Sequence, residues 1–424
     1  MPALQLALDF VDLERAIAIA KEAAKHVDWI EAGTPLIKSE GLDVIRKLKK
    51  LFPDKKIFAD MKIMDTGALE VEIAAKAGAN AISVLGAASD STIKEAVEAG
   101  RRYGAAVMVD LTNVSKERCR KIAQMDIGYI CIHVGIDQQM SGENILEVFK
   151  EVLKQFRNSK VKIAVAGGLT AKTAAIAAKA GADFIIVGGA ITKSPDAGKS
   201  AKEIHEAIQR MKVEKMSKSP MEDIISLLMA IPTPNISDAL QKKGEMGGIM
   251  QIVPGTKLVG RAFTVRTAPG DWAKPVEAIE QASQGDIIVI DAHGSEKAVW
   301  GELATWSCIK RKLAGVVIDG AIRDVDEIRK LKFPAFAKSI TPTAGEPKGF
   351  GELGIEITCG GTNVRQGDYI VADENGVIVI PQEIALEIAR RAKDVMEKEM
   401  RVREEIKRGS TLSEVLKLKK REVS

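Results

Sequence analysis

The 424-residue chain is too long for one ordinary domain, so two or three are expected. Hydrophobic residues at 46% and charged residues at 28% suit folded, water-soluble material, while a formal net charge of +4 and 4% aromatics argue against a nucleic-acid partner. No apolar run reaches the roughly 18 residues that span a bilayer, no basic leader precedes the N-terminal strand, and the four cysteines form no CxxC pair, so a cytoplasmic protein with reduced thiols and no membrane partner is expected.

Residues 1–211 alternate strand and helix eight times. The predicted strands are Leu4–Asp9, Trp29–Gly33, Lys56–Met61, Ala81–Leu85, Ala106–Leu111, Tyr129–Val134, Lys162–Ala166 and Phe184–Val187. They are short apolar runs bounded by Gly, Asp or Thr, the pattern of strands buried on both faces. Helical patterns lie between them, for example Leu13–His26, Leu42–Leu51 and Ala171–Ala180. Gly78 and Gly181 follow two of these helices, where a left-handed residue ends a helix cheaply. Eight evenly spaced βα units predict a closed (β/α)8 barrel, with a doubly wound open sheet as the alternative.

The polar, basic stretch Met211–Pro220 reads as a linker, placed at 212–220. Beyond it the texture changes to a mixed α/β layout with a swivelling-type sheet. Strands are predicted at Lys257–Thr267, Ile287–Asp291, Gly315–Asp319, Tyr369–Ala372 and Val377–Ile380, with Asn375-Gly376 as a hairpin turn. Helices are predicted at Asp223–Ala230, Pro275–Gln281 and Gly301–Leu313, and Asn235 to Asp238 can cap another. The second domain is therefore placed at 221–385. A charged amphipathic helix from Glu383 to about Arg408 starts a tail placed at 386–424, either solvated or an oligomer contact.

In a (β/α)8 barrel the functional groups sit at the C-terminal strand ends. Those positions hold Asp9, Glu31, Asp60, Lys62, Asp65, Asp110 and His133 on five strands, and the glycine pairs Gly167-Gly168 and Gly188-Gly189 on the last two. Carboxylates on separate strands can share one Mg2+, which prefers oxygen ligands. The glycine pairs expose backbone N–H groups where a phosphate can dock. Taken singly, each residue has a plain structural explanation as a cap, a turn or a buried histidine. A whole rim of such groups in one register is better explained by chemistry.

The run Asp60-Met-Lys62-Ile-Met-Asp65 resembles the D-x-K-x-x-D signature of the orotidine monophosphate decarboxylase suprafamily. Leu8-Asp9, Glu31 to Leu36, Asp60 to Gly67 and His133 to Gln138 resemble 3-hexulose-6-phosphate synthases within it. The related 3-keto-L-gulonate-6-phosphate decarboxylases have an Arg three residues after the His, where this chain has Ile136. The resemblance implies Mg2+-dependent, reversible addition of formaldehyde to the phosphosugar D-ribulose 5-phosphate. It implies Glu31 and Asp60 as metal ligands, Lys62, Asp65 and His133 as catalytic residues, and Asp9 on substrate hydroxyls. Gly167, Gly168, Gly188 and Gly189 would take the phosphate. Asp65 would act in the site of a neighbouring subunit, which implies a dimer.

Residues 221–385 resemble the family of the regulator of ribonuclease activity A, which includes class II pyruvate aldolases. The matching stretches are Gly285 to Asp291, Trp300-Gly301-Glu302-Leu303, Val317 to Asp324 and Gly367 to Asp373. By this resemblance Asp324 binds Mg2+, Arg323 grips the carboxylate of a 2-keto acid, and Gly301, Glu302 and Leu303 hold its other end. Glu302 stands where the aldolases have Asp, and Glu383 is a candidate for their carboxylate from a neighbouring subunit. The regulators of the same family act by binding a protein and do no chemistry, so both roles stay open for this domain. The regulator family also implies a trimer, so a homo-oligomer is expected.

Overall fold

A computed structural model describes residues 2–141, 144–156, 161–210 and 224–416; the linker expected at 212–220 lies outside the described residues. The chain divides into two compact units, 1–217 together with 397–424, and 218–396.

The first unit is a closed barrel of eight parallel strands in sequence order. They are β1 (Ala3–Leu8), β2 (Trp29–Ala32), β3 (Lys56–Ile63), β4 (Ala81–Leu85), β5 (Ala106–Asp110), β6 (Tyr129–His133), β7 (Lys162–Ala166) and β8 (Phe184–Val187). Closure is by β8 against β1, with Leu4 beside Ile185. Alternation along each strand sets what the barrel buries. Leu4, Leu6 and Leu8 face the helical ring and join its core, whereas Ala7, Phe58, Met108, Cys131, Ala164 and Ile186 fill the interior. Each such buried Leu, Ile or Phe contributes about 1.5–3 kcal/mol relative to exposure. Trp29 and Tyr129 meet Phe184 edge-on at 5.7 and 6.1 Å, and all three open their strands, so they floor the N-terminal end. The opposite end carries the polar residues.

Helix ends follow local chemistry. Asp12 caps the helix Leu13–Ala23 by accepting from Arg15 N at 2.9 Å. Gly78 and Gly181 have φ of +107° and +105°, as their positions after helices predict.

One departure matters for function. Strand β3 runs through the Asp60–Lys62 segment to Ile63, with a register irregularity against β4 between Ala59 and Ile63. Lys62 sits there at φ +49°, a left-handed conformation that is rare for a long side chain. Such strain costs on the order of 1–3 kcal/mol and persists where the surroundings fix it.

The second unit holds β9 (Met250–Gln251), β10 (Leu258–Thr267), β11 (Ile287–Ala298), β12 (Gly315–Ile322), β13 (Ala335–Ile340), β14 (Gly351–Leu353), β15 (Ile357–Cys359), β16 (Thr362–Val364), β17 (Tyr369–Asp373) and β18 (Gly376–Ile380). The main sheet has the order β18-β17-β10-β11-β12-β13-β9, with β14 on β10 and β15-β16 as a separate hairpin. β10 to β13 run parallel, and β17, β18 and β9 antiparallel at the margins. This is the expected mixed sheet.

Three readings need correction here. Asn235 lies inside the helix Thr233–Ala239, whose cap is Pro232, because Pro234 in the first turn already fixes a helical φ. Strand β11 continues to Ala298, well past Asp291, by irregular pairing with β12. The terminal helix Ala385–Lys407 is not simply a solvated tail, because Arg401 is 3% exposed and belongs with the barrel unit.

Candidate active site

Lys62 is the centre of the barrel's C-terminal mouth. Its Nζ lies 2.9 Å from Asp60 Oδ2 and 2.9 Å from Asp110 Oδ2. His133 Nδ1 is 3.0 Å from the same Asp110 oxygen. Three strands, β3, β5 and β6, thus build one continuous chain of charge-assisted hydrogen bonds, which parallel pairing around the barrel brings together. Each carboxylate is also held from behind. Ser83 donates to Asp60 Oδ1 at 2.7 Å and Thr34 to Asp60 Oδ2 at 2.8 Å. Thr112 donates to Asp110 Oδ1 from its backbone N at 2.9 Å and its hydroxyl at 2.6 Å. Ser83 also accepts from Lys62 N at 2.8 Å, which anchors the strained residue itself.

The electrostatics follow from this wiring. Burial works against the Lys62 ammonium, but the charges of Asp60 and Asp110 outweigh it and hold its pKa above the usual lysine value. Burial also works against the Asp110 carboxylate. The hydrogen bond and charge of His133, then Lys62 and Thr112, reverse that and hold Asp110 below the usual carboxylate range. Glu31 goes the other way. It is 6% exposed, and burial, then the charges of Asp60 and Asp9, push its carboxyl well above the usual range despite a hydrogen bond from Gln5. Asp9 is open to solvent at the mouth, while its carboxylate is pressed against Gly33. A Cβ at Gly33 would fall 2.3 Å from Asp9 Oδ1 and 2.7 Å from the backbone oxygen of Leu8, and the fixed backbone contact favours glycine there. Desolvation and the charge of Asp60 raise Asp9 as well, against Lys62, His133 and Lys193.

Glu31 and Asp60 are buried oxygen donors that repel each other, a set that a hard cation relieves. Among the described residues no three His, Cys, Asp or Glu side chains gather as metal ligands. A cation at this pair would therefore complete its shell with water or substrate oxygens, which suits Mg2+.

The glycine pairs lie at the ends of β7 and β8. Gly167 has φ +113°, and a Cβ there would meet Val134 O at 2.3 Å. Gly188 precedes the short turn of helix Gly189–Thr192. Asp65 stands apart from the Lys62 chain, exposed, and accepts from Thr66 N at 2.8 Å.

Two further residues belong to the mouth. Asp110 was legible only as a strand end, yet it joins Lys62 to His133. Lys193 follows the second glycine pair, and its Nζ would lie 3.2 Å from a Cβ at Gly189. Its ammonium therefore folds back over the segment expected to take phosphate. The signal for it was one residue past the Gly189-to-Thr192 stretch, a helical turn away.

In the second unit Asp324 precedes the helix Val325–Lys330 at φ +55°. Its Oδ2 accepts from Glu302 N at 3.2 Å and lies 3.4 Å from Arg323 Nε. Gly301 caps the helix Glu302–Arg311, Leu303 is 79% exposed, and Trp306 Nε1 donates to Glu302 Oε1 at 3.2 Å. Gly301, Glu302, Arg323 and Asp324 are thus brought together. Glu383 is held by Arg365 at 2.7 Å within its own unit. The sheet also sets Asp291 beside Asp319 across β11 and β12, with Lys338 Nζ 2.5 Å from Asp319 Oδ1. Asp319 also accepts from Gly360 N at 2.6 Å, so this pair ties down the β15–β16 connection.

Among the described residues no helix is long and apolar enough to cross a membrane. A profile described as Orotidine 5'-phosphate decarboxylase / HUMPS family matches residues 2–204, and one described as RraA-like: Aldolase/RraA matches residues 233–379. The 3-hexulose-6-phosphate synthase of Bacillus subtilis (strain 168) is 39% identical over 207 residues, which is 48% of this chain and 98% of that protein. That of Mycobacterium gastri is 41% identical over 207 residues, 48% of this chain and 99% of that protein. A crystal structure of 3-hexulose-6-phosphate synthase aligns at 41% identity and TM-score 0.46, covering 48% of this chain and 99% of that one. The RNA-processing inhibitor RraA from Thermus thermophilis aligns at 26% identity and TM-score 0.33, covering 35% of this chain and 92% of that one. The chain belongs to the orotidine 5'-phosphate decarboxylase / HUMPS family, as a 3-hexulose-6-phosphate synthase-like barrel fused to an RraA-like domain.

Proposed function

We propose that the barrel catalyses reversible addition of formaldehyde to D-ribulose 5-phosphate, giving 3-hexulose 6-phosphate, with Mg2+ as its cation. The observation that carries this reading is the Asp60–Lys62–Asp110–His133 chain at the mouth. With Nδ1 held by Asp110, His133 has its other ring nitrogen for proton exchange. It takes a proton from C1 of the ketose, next to the carbonyl, and leaves an enediolate. That carbon then forms the new bond to the formaldehyde carbon, and the resulting alkoxide takes up a proton. Lys62, kept charged by its two carboxylates, sets fixed positive charge beside the developing oxyanion. Mg2+ held by Glu31 and Asp60 supplies further positive charge to those oxygens when bound. Asp9 holds substrate hydroxyls, and the two glycine pairs with Lys193 take the phosphate. Ile136, 63% exposed, stands where the related decarboxylases place a cation, which favours aldol chemistry. Formaldehyde consumption by the full chain should require both ribulose 5-phosphate and Mg2+; consumption that persists undiminished in chelator would contradict the metal's role.

The Glu31 carboxyl gives an independent check on the cation. Its folded pKa lies above its unfolded value, so the stability that its protonated form contributes falls as pH rises above the unfolded value and is fully lost once pH passes the folded one. At neutral pH and without divalent cation, Glu31→Gln should raise Tm by about 2–4 °C, a gain of roughly 1 kcal/mol. Added Mg2+ should raise the wild-type Tm and leave that of the variant unchanged. A variant no more stable than wild type in chelator would show that the charge at Glu31 is not costly.

Exposed apolar residues flank Asp65: Met64 at 54%, Leu69 at 58% and Ile73 at 38%. They support a barrel dimer in which Asp65 serves the neighbouring subunit's site. For the second domain we propose a 2-keto acid site, with Arg323 on the carboxylate and Asp324 toward Mg2+. Its support is the meeting of Arg323 Nε and Glu302 N on one Asp324 oxygen. Decarboxylation of oxaloacetate by the full chain tests it, and inertness toward a panel of 2-keto acids would favour a binding role.

A further inference from the structure

The terminal helix contributes one residue that no surface-helix reading explains. Arg401 is 3% exposed and forms five hydrogen bonds. Its Nη2 and Nη1 reach Glu22 Oε1 and Oε2 at 2.9 and 3.2 Å, a forked pair with the last turn of the helix Leu13–Ala23. Nη1 also donates to the carbonyls of Ser194 and Pro195, both at 3.2 Å. Nε donates to Glu405 at 3.0 Å, and Glu405 in turn lies 3.3 Å from Arg15. Arg408 adds bonds to Glu22 and to Pro195 O, each at 2.8 Å. Every residue named belongs to the barrel unit.

The carbonyls that Arg401 holds are not arbitrary. Ser194 follows Lys193 directly, and Ser194 N closes on Ile191 O at 3.2 Å while Lys193 N closes on Gly189 O at 3.0 Å. The segment from Gly188 to Pro195 is therefore one continuous hydrogen-bonded turn whose far end is clamped by Arg401. Glu22 Oε2 also accepts from Ala197 N at 3.3 Å, and Ser200 Oγ donates to Ser194 Oγ at 2.7 Å, so the clamp fixes both sides of the turn. The clamping partners lie 379 and 207 residues apart in sequence from Arg401. We infer that Arg401 is a positioning residue for the phosphate end of the barrel site: the terminal helix sets where Gly188, Gly189 and Lys193 stand. The segment beyond the second domain is then a working part of the first.

This inference rests on the phosphosugar reading of the barrel, and its test separates the two. In the full chain, Arg401→Ala should raise KM for ribulose 5-phosphate about tenfold and leave kcat within about threefold, the pattern of lost ground-state binding. Inhibition by inorganic phosphate should weaken by the same factor, and KM for formaldehyde should not move. Arg401→Lys keeps the charge against Glu22 but not the fork, so it should fall between the two; it takes over the comparison if Arg401→Ala loses its near-UV circular dichroism. A folded Arg401 variant with unchanged KM and unchanged phosphate inhibition, or one that loses kcat alone, overturns the inference. Calorimetric binding of inorganic phosphate to wild type and variants reads the clamp without turnover. It therefore still decides the matter if ribulose 5-phosphate proves not to be the substrate.

Discussion

Lys62→Ala is expected to lower kcat/KM for formaldehyde addition by about 10³-fold, the scale of removing a principal oxyanion stabiliser. Lys62 Nζ is shared by Asp60 and Asp110 at 2.9 Å each, which fixes its charge at the centre of the mouth. The loss should fall on kcat, because the charge matters most when the oxyanion develops. Stability should respond as well. Without Lys62, the buried carboxylates of Asp60 and Asp110 keep only their hydroxyl, backbone and His133 partners, and breaking a buried ion pair costs about 3–5 kcal/mol. The Asp110 carboxyl would lose part of what holds it low, so the variant should lose less stability than wild type as pH falls from 7 toward 3. Initial rates of formaldehyde consumption and urea midpoints at the two pH values check both halves. A rate within tenfold of wild type would remove Lys62 from the chemistry.

Asp110→Asn is expected to cost about 10²–10⁴ in kcat, the range for general acid–base catalysis. Asp110 is what binds Lys62 to His133, and an amide there neither balances the ammonium nor fixes the imidazole tautomer. The pH dependence of stability gives a second signature. Because the folded pKa of Asp110 is depressed, its contribution is fully present above the unfolded value of about 4 and is lost as pH falls through the folded value. The stability gap between wild type and Asp110→Asn should therefore be widest near neutral pH and close steadily below about pH 4. A gap that widens on acidification would contradict the sign of the shift.

The barrel was readable because its strands announce themselves locally. Ala81–Leu85, Lys162–Ala166 and Phe184–Val187 are apolar runs cut off by glycine or asparagine, and their observed bounds match those read from the chain. The rim was readable for the same reason, since strand ends in a barrel all point to one mouth. What the chain did not reveal is pairing across strands. Asp110 gained its role only when strand pairing set β5 beside β6, with Asp110 opposite Cys131 in register. Arg401 looked like one more charge on an amphipathic helix, because its partner Glu22 is so distant in sequence. In the second unit, β13 was missed because Pro334 precedes it and Lys338 and Ser339 break its apolar run. Strand β11 ran longer than expected because polar His293 and Glu296 and the intervening Gly294 end its apolar run, while irregular pairing with β12 carries the strand on to Ala298. Local pattern fixes elements; contacts between distant segments fix chemistry.

The central claim is that this mouth performs aldol addition and not decarboxylation. The most direct measurement gives the full chain, with Mg2+, ribulose 5-phosphate plus formaldehyde in one vessel and 3-keto-L-gulonate 6-phosphate in another, and follows both products by NMR. The account predicts rapid formation of 3-hexulose 6-phosphate and a decarboxylation rate at least about 10²-fold lower, the discrimination that a missing cationic contact provides. Faster release of CO2 from the keto-gulonate phosphate, with little hexulose phosphate formed, would contradict it.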